Sequence, residues 1–439
     1  MKKVTLVGVA CATLTSQVQA GSELKTLINM LHENGTVSDA QYGRLMAEIR
    51  AGSKQTTAEK KQVQEQFDKA NNVEISLDRG IQMKTSDGAF EAKIGGRVQA
   101  DAAWYDEDKT AMEDGTEIRR ARLYIQGKMF HDWGYKLQYD FTGTGSSGIK
   151  DAFLTYNGFE HVELKAGNFK DPFMLQEQTS SKYVTFTERA LPDAFSSGRH
   201  IGVMASTKHQ HWTATVGFFG DSVSTATKGK DEGWSVSGRF TYSPINEKTR
   251  VIHLGFASDY RSTDEADSIR FKQQPETHIS GVNIVDTGAI DNVNNHLKLG
   301  FEFAAIEGPF SFQSEYIHTI VNRNGSNLNF DGWYAEAAYF LTGESRNYKK
   351  GKFAGISPNS VVGQGGFGAW QLATRYSMIN LTDAEINGGE AQSLTLGMNW
   401  FPTATLRFSL NYVRVLDVSG GPYDDEKLNL VQARGQWAF

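Results

Sequence analysis

The sequence predicts an all-β fold: a transmembrane antiparallel β-barrel of about 16 strands, preceded by a short α-helical periplasmic segment. Three observations carry this. Apolar and polar residues alternate with period two from Glu91 onward. No apolar run approaches the ~18 to 20 residues that a spanning helix needs, so a bilayer could be crossed only by a closed sheet. The final strand places Val431, Ala433, Gly435, Trp437 and the terminal Phe439 on one face.

The 439 residues include 44 Gly, only 8 Pro and 11% aromatic side chains, which suits one large domain of strands and tight turns. Within Glu91 to Asp106, Ala92, Ile94, Val98, Ala100, Ala102 and Trp104 fall on one face, and Lys93, Arg97, Gln99 and Asp101 on the other. Such a strand has lipid on one side and water on the other. The pattern returns at Ala121 to Met129 and Tyr135 to Phe141, then at Trp212 to Phe218, Trp234 to Tyr242, Leu297 to Ala305, Trp333 to Leu341, Trp370 to Met378 and Leu394 to Trp400. Short joints such as His131 to Gly134 alternate with longer ones such as Asp106 to Thr116, and Trp and Tyr collect near strand ends, as outer-membrane lipid interfaces require.

Residues 1–20 read as a secretory signal peptide: Lys2 and Lys3, an apolar run from Val4 to Leu14, then the small-residue pattern Val18-Gln19-Ala20. A lipoprotein box at Gly8 to Cys11 is the competing reading. Cleavage after Ala20 would remove Cys11, the only cysteine, and take the net charge from −6 to −8 with the loss of two lysines. The mature chain would then hold no thiol chemistry, and its acidic balance argues against a nucleic-acid partner.

Residues 21–75 have helical texture. Leu24, Leu27, Ile28 and Leu31 recur at helical spacing, and Asn34-Gly35 breaks the run. Ser38 with Gln41 forms a capping box for a second helix through Ile49, with Val37 and Tyr42 as a hydrophobic staple. Thr56 and Glu59 open a third, whose Val63, Phe67 and Ala70 make a thin stripe. The segment is either an oligomerising coiled coil or a solvated tether. The barrel domain occupies 76–439.

Enzyme motifs are missing. Gly143 to Gly148 fits a dinucleotide fingerprint only by its letters, because no amphipathic helix follows it. His209 and His211 have no third ligand in view, and Asp424-Asp425-Glu426 reads as a solvated loop. No catalytic residue, metal site or cofactor is expected.

Functional weight falls on Asn168 to Gly198, a long aperiodic segment carrying Lys170, Glu177, Lys182, Glu188, Arg189 and Asp193. A loop of that length generally has a task; turned inward, it would narrow a water-filled bore and set ion preference. By parity the polar face bears Arg97, Arg120, Arg122, Lys128, Lys136, Lys165, Arg239 and Lys298 against Asp101, Asp140, Glu163 and Glu302. The balance leans toward anions, although general wall neutralisation would produce a similar set.

Beyond residue 90 the chain resembles the phosphate-selective porins O and P. The resemblance runs through Gly95-Gly96-Arg97-Val98-Gln99-Ala100-Asp101, Arg119-Arg120-Ala121, Asp132-Trp133, Ser180-Ser181-Lys182, Glu188-Arg189, Leu341-Thr342-Gly343-Glu344, Gly368-Ala369-Trp370 and Asn411-Tyr412-Val413. It implies a sixteen-stranded homotrimeric channel in the cell outer membrane, with an inward third loop and a basic wall leading small, phosphate-like anions to a constriction. Independently of that family, the terminal aromatic Phe439 on the lipid face of the last strand resembles the sorting signal that the barrel assembly machinery recognises. The matching constriction positions are Asp151 and Arg189, and the matching basic wall is Arg97, Arg119 and Arg120. Glu177 stands where the family carries a lysine, Lys170 where it carries an aromatic hydroxyl, and Arg122 where it carries a tyrosine. Alternative roles are a weakly selective general porin or a barrel that tethers a partner through its N-terminal helices.

Overall fold

The computed structural model describes residues 24–77, 79–224, 231–263 and 268–439, with some side chains between 53 and 71 left aside. The signal-peptide segment 1–20 lies outside the described residues, as do the side chains of Phe67 and Ala70. The chain forms two compact units, one ending at Glu74 that also takes in Thr85–Gly88, the other comprising Ile75–Lys84 and Ala89–Phe439.

In the first unit a helix over 24–33 is followed by a single helix, Asp39–Asn71, in place of the two expected after Ser38. Nothing between Ile49 and Thr56 is incompatible with helix except Gly52, and one interior glycine costs only about 1 kcal/mol. The capping box is formed, with the Ser38 amide donating to Gln41 Oε1 at 3.1 Å. Ile28 and Met46 are buried, and His32 stacks on Tyr42 at 4.2 Å.

Among the described residues, sixteen antiparallel strands close the barrel of the second unit: β1 Glu91–Glu107, β2 Gly115–Met129, β3 Trp133–Asp140, β4 Ile149–Tyr156, β5 Val162–Lys170, β6 Arg199–Lys208, β7 Trp212–Phe219, β8 Trp234–Asn246, β9 Arg250–Ser262, β10 Val293–Glu307, β11 Phe310–Arg323, β12 Leu328–Phe340, β13 Ala369–Asp383, β14 Ile386–Phe401, β15 Leu406–Ser419 and β16 Leu428–Ala438. Each strand pairs with its neighbour in sequence, and β16 returns to β1 with Arg434 opposite Asp101. Closure leaves no strand edge to be satisfied in lipid. Phe439 completes the seam, exchanging backbone hydrogen bonds with Gly96 at 2.9 and 3.1 Å.

Side chains divide by parity. Phe240, Leu254, Phe256, Phe301, Leu396 and Leu410 are exposed outward, whereas Gln99, Asp101, Arg239, Glu302, Arg375 and Asn411 are buried within. At the end bearing Phe439 the connections are short, apart from 341–368. The opposite end carries 171–198 and 268–292. These two segments fill part of the bore with an apolar core: Phe173, Met174, Leu191 and Phe195 from the first and Phe271, Ile284, Val285 and Ile290 from the second pack on Ile317, Val321, Ile379, Val413 and Leu430 of the wall. The alternation therefore breaks in β11, where Ile317 and Val321 face inward because protein rather than water lies against them.

The β1–β2 seam depends on a missing side chain. A Cβ on Gly127 would stand 1.7 Å from the Glu91 carbonyl oxygen, a contact that only backbone movement relieves. Gly127→Val should lower the folded, heat-modifiable fraction and the thermal midpoint, at a cost of about 1–3 kcal/mol. An unchanged midpoint by circular dichroism would contradict this packing.

Candidate functional site

Segment 171–198 leaves β5 and returns to β6 after crossing to the inner faces of distant strands. Its stem is fixed by His200 Nδ1 against Asp171 Oδ2 at 2.7 Å and by Ser197 Oγ donating to Asp259 at 2.7 Å. Farther along, Glu315 of β11 accepts the amide of Gln176 at 3.1 Å, and Thr185 Oγ1 donates to Glu336 of β12 at 2.7 Å. Asn411 of β15 accepts the Thr187 amide at 2.8 Å, and Arg407 Nη1 donates to the Val184 carbonyl at 2.6 Å. An irregular segment away from water needs such partners for its backbone groups, and polar side chains of the wall supply them.

The strongest anchor is Glu188. Arg119 donates to it through Nε and Nη2 at 2.9 and 3.1 Å, Arg434 lies 2.7 Å away, and Arg120 lies at 3.7 Å. Burial alone would raise the Glu188 pKa; the three guanidinium groups outweigh it and hold the carboxyl well below its ordinary value. Arg434 also grips Asp101 at 2.5 Å, so one arginine joins loop, β16 and β1. Strict parity would turn Arg119 toward lipid. A β-bulge resolves this: Gln99 pairs with Arg120 and Ala100 with Ile118, so Arg119 is the extra residue and can point inward beside Arg120.

Beside the loop lies a cavity of about 750 Å³. Eight of the nine residues singled out in the sequence line it: Arg97, Arg120, Arg122, Asp151, Lys170, Glu177, Lys182 and Arg189. Arg119 does not, because its guanidinium is spent on Glu188. Several of the others are closed by carboxylates. Arg122 Nε donates to Asp140 at 2.6 Å, and Asp151 lies 2.5 Å from Lys136 and 2.9 Å from Arg199. Glu177 accepts from Arg189 at 2.6 Å and Lys170 at 2.9 Å. Burial opposes ionisation of Glu177, but Arg189 and then Lys170 prevail, and its carboxyl titrates at about 2. The acid at that position thus binds the two neighbouring cations into one closed group.

Other cations are open. Arg97 donates to Ser180 Oγ at 3.2 Å. Lys182 has the rings of Tyr183 and Tyr124 at 5.3 and 5.7 Å from Nζ. Among the described residues neither has a carboxylate in ion-pair range, nor do Lys165, Lys208, Lys350 and Lys352, which line the same cavity. Burial, followed by the positive fields of Arg97 and Lys136, lowers the Lys182 ammonium to about 8. In all, thirteen Lys or Arg and four Asp or Glu are found among the described lining residues.

Sequence reasoning missed Arg199, which opens β6 after an aperiodic stretch, and Lys350 and Lys352, which come from the long connection 341–368. No periodic signal marked them. Lys128 and Lys298, inward by parity, do not line the cavity, and Lys298 is paired with Asp259 at 3.4 Å.

A closed sixteen-stranded barrel with a lipid-facing apolar exterior and a polar bore partly filled by inward segments defines an outer-membrane porin. Residues 92–439 match the family described as phosphate-selective porin O and P, and the chain belongs to that family. Among its relatives, Porin O of Pseudomonas aeruginosa is 29% identical over 386 residues, covering 78% of this chain and 87% of that protein. An uncharacterised protein of Caulobacter vibrioides is 31% identical over 387 residues, covering 83% and 77%. The anion-selective porin of Comamonas acidovorans superposes with a TM-score of 0.52 at 13% identity, over 80% of this chain and all of that one, and so shares the fold.

Removing the Glu188 charge should loosen the loop. Glu188→Gln leaves Arg119, Arg120 and Arg434 with one carboxylate fewer, and breaking a buried pair costs about 3–5 kcal/mol. A lower thermal midpoint together with a larger or noisier single-channel conductance is expected; unchanged values of both would show that the anchor lies elsewhere.

Proposed function

We propose that this chain is a passive channel for small anions, phosphate and pyrophosphate among them, in which segment 171–198 constricts the bore and the basic residues beside it set the ion preference. The observation that carries this reading is the charge of the cavity: cations outnumber carboxylates about threefold, and six of them lack a carboxylate partner among the described residues. In a narrow, poorly screened bore, fixed charge of one sign raises the local concentration of the other. Arg97 and Lys182 are the open cations of the constriction. Arg120, Arg122, Asp151, Lys170, Glu177 and Arg189 shape it as a mostly paired frame, while Arg119 holds the loop.

Phosphate preference depends on whether the Lys170–Glu177–Arg189 group opens to an entering oxyanion. Glu177 favours bulk anion passage over tight phosphate capture. The homotrimer is supported by the family and by the trimer form described for OmpT of Vibrio cholerae, a fold neighbour. Cleavage near Ala20, recognition of the Phe439 strand during assembly, and an oligomerising or tethering role for the helices complete the proposal.

Reversal potentials of the purified protein in planar bilayers under a KCl gradient test it. Anion preference is expected, and phosphate should reduce chloride current if it binds in the bore. Cation preference would contradict the reading. A pH dependence follows from Lys182: it is charged below about 8, so raising the pH through that value removes a positive charge from the bore and should reduce anion preference. Lys182→Gln should shrink that step, with Lys352, whose ammonium burial also lowers to about 8, supplying the remainder; a step of undiminished size in the variant would assign it to other groups.

A further inference from the structure

The luminal face of a water-filled barrel is ordinarily polar. On the inner faces of β4, β5 and β7 this wall instead carries Phe153, Phe169 and Phe219. Phe219 and Phe169 are buried. The rings form a chain of edge contacts, Phe153 to Phe169 at 5.9 Å and Phe169 to Phe219 at 5.5 Å, which holds the first two in fixed orientation. Lys165 lies over both: its Nζ is 4.8 Å from the Phe153 ring centre and 5.2 Å from that of Phe169, and all three residues line the cavity. The aromatic pair Tyr124 and Tyr183 stands in the same relation to Lys182.

Lys136, Arg199, Lys170 and Arg189 are held in place by Asp151 or Glu177, and each of those carboxylates cancels charge as it positions it. An aromatic face attracts an ammonium through its quadrupole but carries no net charge. It can therefore fix a flexible lysine and leave the full positive charge for a passing ion.

We propose that Phe153 and Phe169 are positioning residues for anion passage: their ring faces hold the Lys165 ammonium in the lumen without neutralising it, as Tyr124 and Tyr183 do for Lys182. The inference rests on the anion-channel reading above. Its readout is the anion-to-cation permeability ratio of the full chain, from reversal potentials under a KCl gradient. Replacing both rings (Phe153→Leu with Phe169→Leu) should lower the ratio by about twofold, the scale of an exposed cation–π contact. The paired Phe153→Tyr and Phe169→Tyr variant should retain the parental ratio. In a Lys165→Gln background the two leucines should cause no further change. An unchanged ratio in the leucine variant overturns the proposal. A loss that tyrosine does not restore, or that persists without Lys165, assigns the rings to packing and overturns it equally. Cation preference in the parent chain would instead defeat the anion reading itself, before any substitution is made.

Discussion

Glu188 sits where three strands and a loop need one another. Arg119 and Arg120 reach it from β2 and Arg434 from β16, and Arg434 simultaneously holds Asp101 of β1. The same cluster therefore spans the seam that closes the sheet and fixes the segment that crosses the bore. Three guanidinium groups brought together would repel one another, and burial would make that repulsion costly. Two carboxylates make the arrangement tenable, and one of them belongs to the loop. With the loop held there, its apolar residues join those of 268–292 against Ile317, Val321 and Val413 of the wall, and the bore acquires a core.

This arrangement explains how one lumen can contain many ion pairs and still carry a positive excess. The paired cations are structural: they hold Glu188, Glu177 and Asp151 where the chain requires them. Three of the remaining cations are placed by other means, Arg97 by a serine hydroxyl and Lys165 and Lys182 by aromatic rings. Each of these contacts orients a charge without cancelling it. The division separates residues that maintain the bore from residues that an ion in transit would meet.

Much of the architecture was legible in the sequence because lipid imposes a strict rule. Every residue of a spanning strand must choose between hydrocarbon and lumen, and the period of two follows directly, from Ala92 and Ile94 in β1 to Val431 and Ala433 in β16. The reading weakened where protein replaces water inside the barrel. Ile317 and Val321 broke the alternation of β11 because segments 171–198 and 268–292 lie against them. Parity alone would turn Arg119 toward lipid, and only the family resemblance named it; its inward position follows from a bulge that shifts parity by one residue, which the pairing register reveals. Lys350 and Lys352 lie on a connection with no period at all, and their arrival in the cavity depends on a long-range fold. The pairing of Glu177 with Lys170 and Arg189 was equally invisible, because sequence gives the charges but not their partners.

The central claim is that the open cations, rather than the paired ones, form the route of an anion. Bromide located by anomalous diffraction in crystals of the protein tests this most directly. The account predicts luminal bromide peaks beside Arg97, Lys182 and Lys165, with none displacing Glu188 from its arginines. Peaks confined to the outer surface, or bromide bound in place of Glu188 or Glu177, would contradict it.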